Sequence, residues 1–131
     1  MRVEVTFDSD GHYAIAYKNG VIIPGPGPLP APPVLFLGSI AACAGAFAVE
    51  YLRARNLLFA GLRVSAEATH ADEPRRLSGL KVQVTLPSVV EQRHMAPLRR
   101  AIDLCTLKNT LAHPGEVATE LVAPVMAGRV A

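Results

Sequence analysis

Val34-Leu35-Phe36-Leu37-Gly38-Ser39-Ile40-Ala41-Ala42-Cys43-Ala44-Gly45-Ala46-Phe47-Ala48-Val49 is an apolar run broken only by small residues, and its reading decides the fold. Residues 31–49 carry no charge. A run of this length raises the question of a membrane span, which takes about 20 apolar residues. Gly38, Ser39 and Gly45 interrupt it, however, and Glu50, Arg53 and Arg55 follow at once. The better reading is a soluble central helix over residues 34–56, covered on nearly all sides, whose small residues let a sheet or a helix approach closely. No membrane association is expected. Ser39, Cys43 and Glu50 recur at i, i+4 and i+11, near one helical stripe. Glu50 reads as the first solvated residue of the helix's wet end.

Upstream of this helix, residues 3–7 alternate as Val-Glu-Val-Thr-Phe and run into Asp8-Ser9-Asp10-Gly11, a hairpin signal. Residues 13–17 read as a second strand. Asn19-Gly20 predicts a tight turn into Val21-Ile22-Ile23. Six of the eleven prolines then fall between Pro24 and Pro33, interleaved with Gly25 and Gly27. They predict a stiff, extended connector within one domain, because too little chain precedes it to fold alone. Downstream, residues 62–69 and 80–86 both alternate apolar with polar and predict two long strands. Between them lies a charged turn containing His70, Asp72, Glu73, Pro74, Arg75 and Arg76. Residues 89–104 predict a second helix with Leu98, Ile102 and Cys105 toward one face, and Pro97 either kinks it or sits in its first turn. After the His113-Pro114-Gly115 break, residues 116–122 predict a last strand.

The 131 residues suit a single domain spanning 1–131, long enough to bury a real core. Half of them are hydrophobic but only four are Phe and three Tyr, so that core must be aliphatic and Ala-rich. A formal charge of +2 with no basic patch carrying interleaved aromatics gives no support to nucleic-acid binding. Two cysteines without a signal peptide fit a reducing cytoplasm. His70 with two loop carboxylates is a weak ligand set that reads as a solvated turn, and no metal or other cofactor is expected.

Cys43 and Cys105 belong to no close Cys-x-x-Cys or Cys/His cluster, which argues against structural zinc. Two readings stay open on the residues alone. The pair are buried thiols acting as small hydrophobes, or they are a reactive thiol and its resolving partner brought together by the fold.

The chain resembles the OsmC/Ohr family, the osmotically inducible protein C and organic hydroperoxide resistance proteins. The resemblance runs from the N-terminal strands through Pro33-Val34-Leu35-Phe36-Leu37-Gly38-Ser39-Ile40-Ala41-Ala42-Cys43 and the charged hairpin. It continues through Arg100-Ala101-Ile102-Asp103-Leu104 to Cys105-Thr106-Leu107-Lys108-Asn109-Thr110-Leu111, the more specific of the two motifs. The cysteines stand 62 positions apart, a spacing that suits the family. The resemblance implies an α+β fold with N-terminal strands, a long buried central helix, a β-hairpin, a second helix and a C-terminal strand. It also implies an intertwined homodimer with its site at the interface. Cys43 takes the place of the family's peroxidatic thiol, which attacks an organic hydroperoxide and becomes a sulfenic acid. Cys105 takes that of the resolving thiol, which closes a disulfide that a dithiol reductant reopens.

One departure bears on activity. Peroxidase members carry a Glu in the segment that opens the first helix, and here Ala31-Pro32-Pro33-Val34-Leu35 holds no carboxylate. They also use an Arg from the N-terminal strands, where this chain offers only Arg2 and Lys18. The leading expectation is thiol-dependent reduction of organic hydroperoxides. The alternatives are a thiol redox sensor and a module that binds a hydrophobic ligand without peroxidase activity.

Overall fold

The structure, a computed structural model, describes residues 1–22 and 27–126. Ile23 and the opening of the Pro-rich connector (Pro24, Gly25, Pro26) lie outside the described residues. Three antiparallel strands, β1 (Glu4–Phe7), β2 (Tyr13–Tyr17) and β3 (Gly20–Ile22), form the N-terminal sheet. The register places Val5 opposite Ile15, Phe7 opposite Tyr13 and Ile15 opposite Ile22. Directly opposed residues share a face, so these side chains form one apolar surface. The β1–β2 turn is held by Asp8, whose Oδ1 accepts from the backbone N–H groups of Asp10 and His12 at 2.9 Å each.

Helix α1 (Pro32–Ala54) starts where the connector ends. Prolines suit a first turn, since their missing N–H would be unpaired there in any case. The helix stops at Asn56, whose left-handed φ of 55° cannot continue it. The two ends of the hairpin that follows, β4 (Arg63–Ala71) and β5 (Arg76–Thr85), reach further than the alternation alone indicated, so His70 and Arg76 lie in strands. A 3-10 turn (Gln92–His94) leads into α2 (Met95–Ile102), and Pro97 occupies its first turn. A third helix, α3 (Thr106–Ala112), has no counterpart among the sequence expectations.

The core gathers where α1 crosses the hairpin and α2. Ala48, Tyr51 and Leu52 of α1 meet Leu98 of α2, with Leu62, Val84 and Leu86 packed around them. Gly45 marks the closest approach to the sheet: a Cβ there would stand 3.1 Å from Val64 Cγ2. The Tyr51 hydroxyl lies 3.0 Å from His94 Nδ1 and ties the 3-10 turn to α1.

Two expectations need correction. First, α1 is not covered on nearly all sides. Its buried residues are Ile40, Ala44, Gly45, Ala48, Tyr51 and Leu52, while Val34, Gly38, Ser39, Ala42, Ala46 and Glu50 are exposed. By length and composition α1 could cross a membrane, yet one half of it forms the core of this fold. Second, residues 116–122 form no strand. Residues 114–126 run without assigned structure, and no backbone hydrogen bond joins them to any described residue. The alternation is there, but a strand exists only against an edge that pairs with it. The N-terminal sheet is isolated too: among the described residues, none of its strands packs on α1, the hairpin or α2. The Tyr13 hydroxyl donates to the carbonyl of Pro30 in the connector at 2.7 Å.

Candidate functional site: a two-thiol pair

Cys43 lies halfway along α1 at the border between its covered and open faces, and is half-buried. Cys105 is fully buried in the junction between α2 and α3. Backbone bonds fix it from both sides. Its N–H donates to the Ile102 carbonyl at 3.1 Å, and its own carbonyl accepts from the Asn109 N–H at 3.0 Å. Lys108 Nζ reaches Asp103 Oδ1 at 2.5 Å, strapping the first turn of α3 to the end of α2. The Cys-Thr-Leu-Lys-Asn-Thr-Leu motif is therefore a short helix with its cysteine at the N-cap.

This junction packs α3 against α1 and sets the two free thiols side by side. Their proton affinities then part in opposite directions. The Cys105 thiol, a hydrogen-bond donor beside it, is the largest influence on Cys43 and lowers its pKa. Burial opposes that, and the backbone N–H groups of Leu107 and Thr106 add to the lowering. Those amides open α3, where the first N–H groups of a helix have no partner inside it. Hydrogen bonds to the charged form favour ionisation. Cys105 is pushed up, chiefly by burial and next by Cys43 itself, with weaker opposition from the Lys108 and Leu107 amides. The arrangement holds one thiol disposed to ionise and a neighbour disposed to keep its proton, which is the polarity a nucleophile and its resolving partner need.

The other residues singled out in the sequence fall elsewhere. Ser39 donates its hydroxyl to the Phe36 carbonyl at 2.7 Å and so serves its own helix. Glu50 is exposed. The first turn of α1 holds no acidic residue, in line with Ala31-Pro32-Pro33. Arg2 pairs with Glu4 at 2.7 Å on the N-terminal sheet, and Lys18 is exposed in its β2–β3 turn. Because that sheet does not pack on α1, neither cation belongs to the thiol pair within one chain. What the residue reading missed is the pair of α3 amides. The signal was present in the helix-compatible Thr106-Leu107-Lys108 ahead of a His-Pro-Gly stop, but backbone donors leave no residue-type signature. Ligand atoms of Asp8, Asp10 and His12 also lie within 4.8 Å of one another, all three exposed on the β1–β2 turn. Asp8 is already engaged there with the turn's own amides.

The comparisons with known proteins bear on the fold and the family. A crystal structure of an osmotic stress induced and detoxification response protein from Psychrobacter arcticus superimposes with a TM-score of 0.72 at 21% identity, covering 86% of this chain and 88% of that one. An OsmC-like protein from Mycoplasma pneumoniae gives 0.69 at 15% identity, over 86% and 87% of the two chains. The organic hydroperoxide resistance protein OsmC from Legionella pneumophila, described as a predicted redox protein and regulator of sulfide bond formation, gives 0.60 at 16% identity over 86% and 88%. At these identities the likeness is one of fold. No curated protein matches the sequence. The sequence model of the OsmC-like proteins matches residues 25–120, most of the chain and both cysteines, and the chain belongs to the OsmC family.

Proposed function

We propose that this protein reduces organic hydroperoxides through Cys43, with Cys105 as the resolving thiol. The observation that supports the reading best is the opposed disposition of two adjacent thiols, Cys43 toward the thiolate and Cys105 toward the protonated form. The Cys43 thiolate attacks the distal oxygen of the hydroperoxide, the O–O bond breaks, and the alkoxide leaves as an alcohol after taking a proton. Cys43 is then a sulfenic acid. The Cys105 thiol, losing its proton, attacks the Cys43 sulfur, forms the disulfide and releases water. An external dithiol returns both cysteines to thiols and is itself oxidised to a disulfide.

Phe47 lies one turn beyond Cys43 on α1, and an apolar neighbour there favours an alkyl or lipid hydroperoxide over hydrogen peroxide. A homodimer completes the reading: the exposed half of α1 and the unpartnered N-terminal sheet supply the apolar surface for it. Lys18 of a second copy is the cation such an assembly could bring to the thiolate.

The missing carboxylate at the start of α1 sets the expected rate. With α3 amides and a neutral thiol as the donors to Cys43 among the described residues, turnover should be slower than in members holding an Arg–Glu pair. The test is consumption of cumene hydroperoxide with a dithiol as reductant. The expected result is measurable turnover, abolished by Cys43→Ser and stalled by Cys105→Ser at a trapped sulfenic acid. No consumption, with Cys43 titrating at or above an ordinary thiol, would replace this reading with that of a hydrophobic-ligand module. A Cys43 that oxidises readily but is not recycled by dithiols would favour a redox sensor.

A further inference from the structure

Helix α3 is seven residues long, buries none of them and has no side-chain cap at its N-terminus. A helix this short is marginal unless tertiary contacts hold it. Apolar packing supplies little here, since Leu107 is half-buried and Leu111 is exposed. Yet the first turn of α3 carries backbone donors to both thiols. The Thr106 and Leu107 amides serve Cys43, and those of Leu107 and Lys108 serve Cys105. That turn needs something to fix it.

Two charged residues bracket Cys105. Asp103 closes α2 as its C-cap, and Lys108 stands in the first turn of α3. Each sits at the wrong end of its helix, because helix C-termini favour cations and N-termini favour anions. Together they satisfy each other, with Lys108 Nζ 2.5 Å from Asp103 Oδ1. The Lys108 side chain is 33% exposed, whereas every other ion-paired side chain among the described residues is at least 49% exposed. Fully exposed pairs hold little; this one lies on the wall of a cavity of about 360 Å³, beside Val82, Val84 and Ile102. Arg99 of α2 is the other charged residue on that wall, and β5 brings no charge to it.

We propose that Asp103 and Lys108 are positioning residues of the two-thiol site, their ion pair clamping the first turn of α3 so that its backbone N–H groups stay aimed at Cys43 and Cys105. The proposal deepens the reading above and rests on it only for the roles of the two thiols. The clamp closes over residues 103–108 and therefore also fixes the stretch that carries Cys105. It acts through the backbone and not through its own charge. The pair is neutral as a whole, and the influences on Cys43 are the Cys105 thiol, burial and two α3 amides, with neither the Lys108 ammonium nor the Asp103 carboxylate among them. Small displacements matter at such a site, because a hydrogen bond to the thiolate weakens steeply with misalignment.

The experiment follows alkylation of Cys43 by iodoacetamide against pH in the full chain, read on the Cys43 peptide by mass spectrometry. Asp103→Asn removes an anion and Lys108→Met removes a cation, so the two change the local charge in opposite senses. The expected result is that both move the Cys43 midpoint upward, by about half a pH unit, which lowers the thiolate fraction near neutral pH about threefold. Lys108→Arg keeps the pair and should leave the midpoint in place. The charge-swapped chain, Asp103→Lys with Lys108→Asp, restores a pair with each charge at its favoured helix end and should recover the wild-type midpoint. Shifts of opposite sign for Asp103→Asn and Lys108→Met would show direct action of the charges and overturn the clamp. Unchanged midpoints in both would overturn it too, as would a swapped chain that stays as far from wild type as the single variants. Peroxide turnover does not enter the readout. A wild-type chain that consumes no cumene hydroperoxide, yet gives these shifts, keeps the clamp and loses the proposed function.

Discussion

The body and the ends of this chain carry the same kind of pattern and meet opposite fates. In the body, alternation along β4 and β5 and the apolar stripe of α1 find each other, and Leu52, Ile40 and Ala48 are sealed from solvent. At the ends, alternation just as regular leaves Val5, Phe7, Val117 and Leu121 in the open. Amphipathic patterning specifies which face needs cover and is silent about what covers it. In the body, a 23-residue helix offers a long surface beside a hairpin that follows within a few residues, so cover is found locally. The ends have strand patterning but, among the described residues, no neighbouring surface that covers it, which is why the surface they need is sought in a second copy.

That contrast can be broken most forcefully in the body. Leu52→Ala removes a fully buried side chain from the contact between α1, α2 and the hairpin, and should cost about 2–5 kcal/mol in chemical denaturation. A loss below about 1 kcal/mol would mean that the body is not the cooperative core. Gly45→Val tests the helix–sheet approach. With Val64 Cγ2 already 3.1 Å from where a Cβ would sit, overpacking should cost about 1–3 kcal/mol, and trimming Val64 to Ala in the same chain should recover part of it. An unchanged midpoint would show that α1 can shift away from β4 freely.

The ends should respond the other way. Phe7→Ala, made in dilute protein, should move the unfolding of the body by no more than about 0.5 kcal/mol, as surface substitutions do. At higher concentration the same variant should loosen the dimer by about 1.4 kcal/mol, a factor of ten. If Phe7→Ala instead unfolds the dilute chain, the N-terminal sheet is part of the body after all.

The smallest effect sharpens the site. Cys43 is an acid whose pKa is lowered in the folded chain, so its thiolate persists to pH values below the ordinary thiol range near 8.5. Cys105 is raised, so it holds its proton above that range. Alkylation of Cys43 by iodoacetamide should accordingly reach half its maximal rate below the pH at which an unstructured cysteine does. Cys105→Ala removes the largest donor and should move that midpoint upward, while Cys105→Ser, which keeps a hydroxyl donor, should move it less. Equal midpoints for wild type and Cys105→Ala would remove Cys105 as the cause.

Much of this protein was legible in the residues. The uncharged run of 31–49 predicted a long helix, and the structure has one at Pro32–Ala54. Turn residues at Asp8-Ser9-Asp10-Gly11 and Asn19-Gly20 placed the N-terminal strands to within a residue, because turn chemistry is local. Pro97 had to lie in a first turn or a kink for the same reason. The Cys105 motif carried the family resemblance. Other features are not local and had to wait for the fold. Whether the two cysteines meet depends on how α3 packs against α1, which no spacing of 62 residues encodes. The donors that divide their proton affinities include backbone amides of Thr106 and Leu107, groups every residue but proline carries. Residues 116–122 show the limit most plainly: the sequence alone determined that they have strand character, because alternation is a property of the chain. Only the tertiary structure decided that they are unpaired in a single copy, because a strand's hydrogen bonds belong half to its partner.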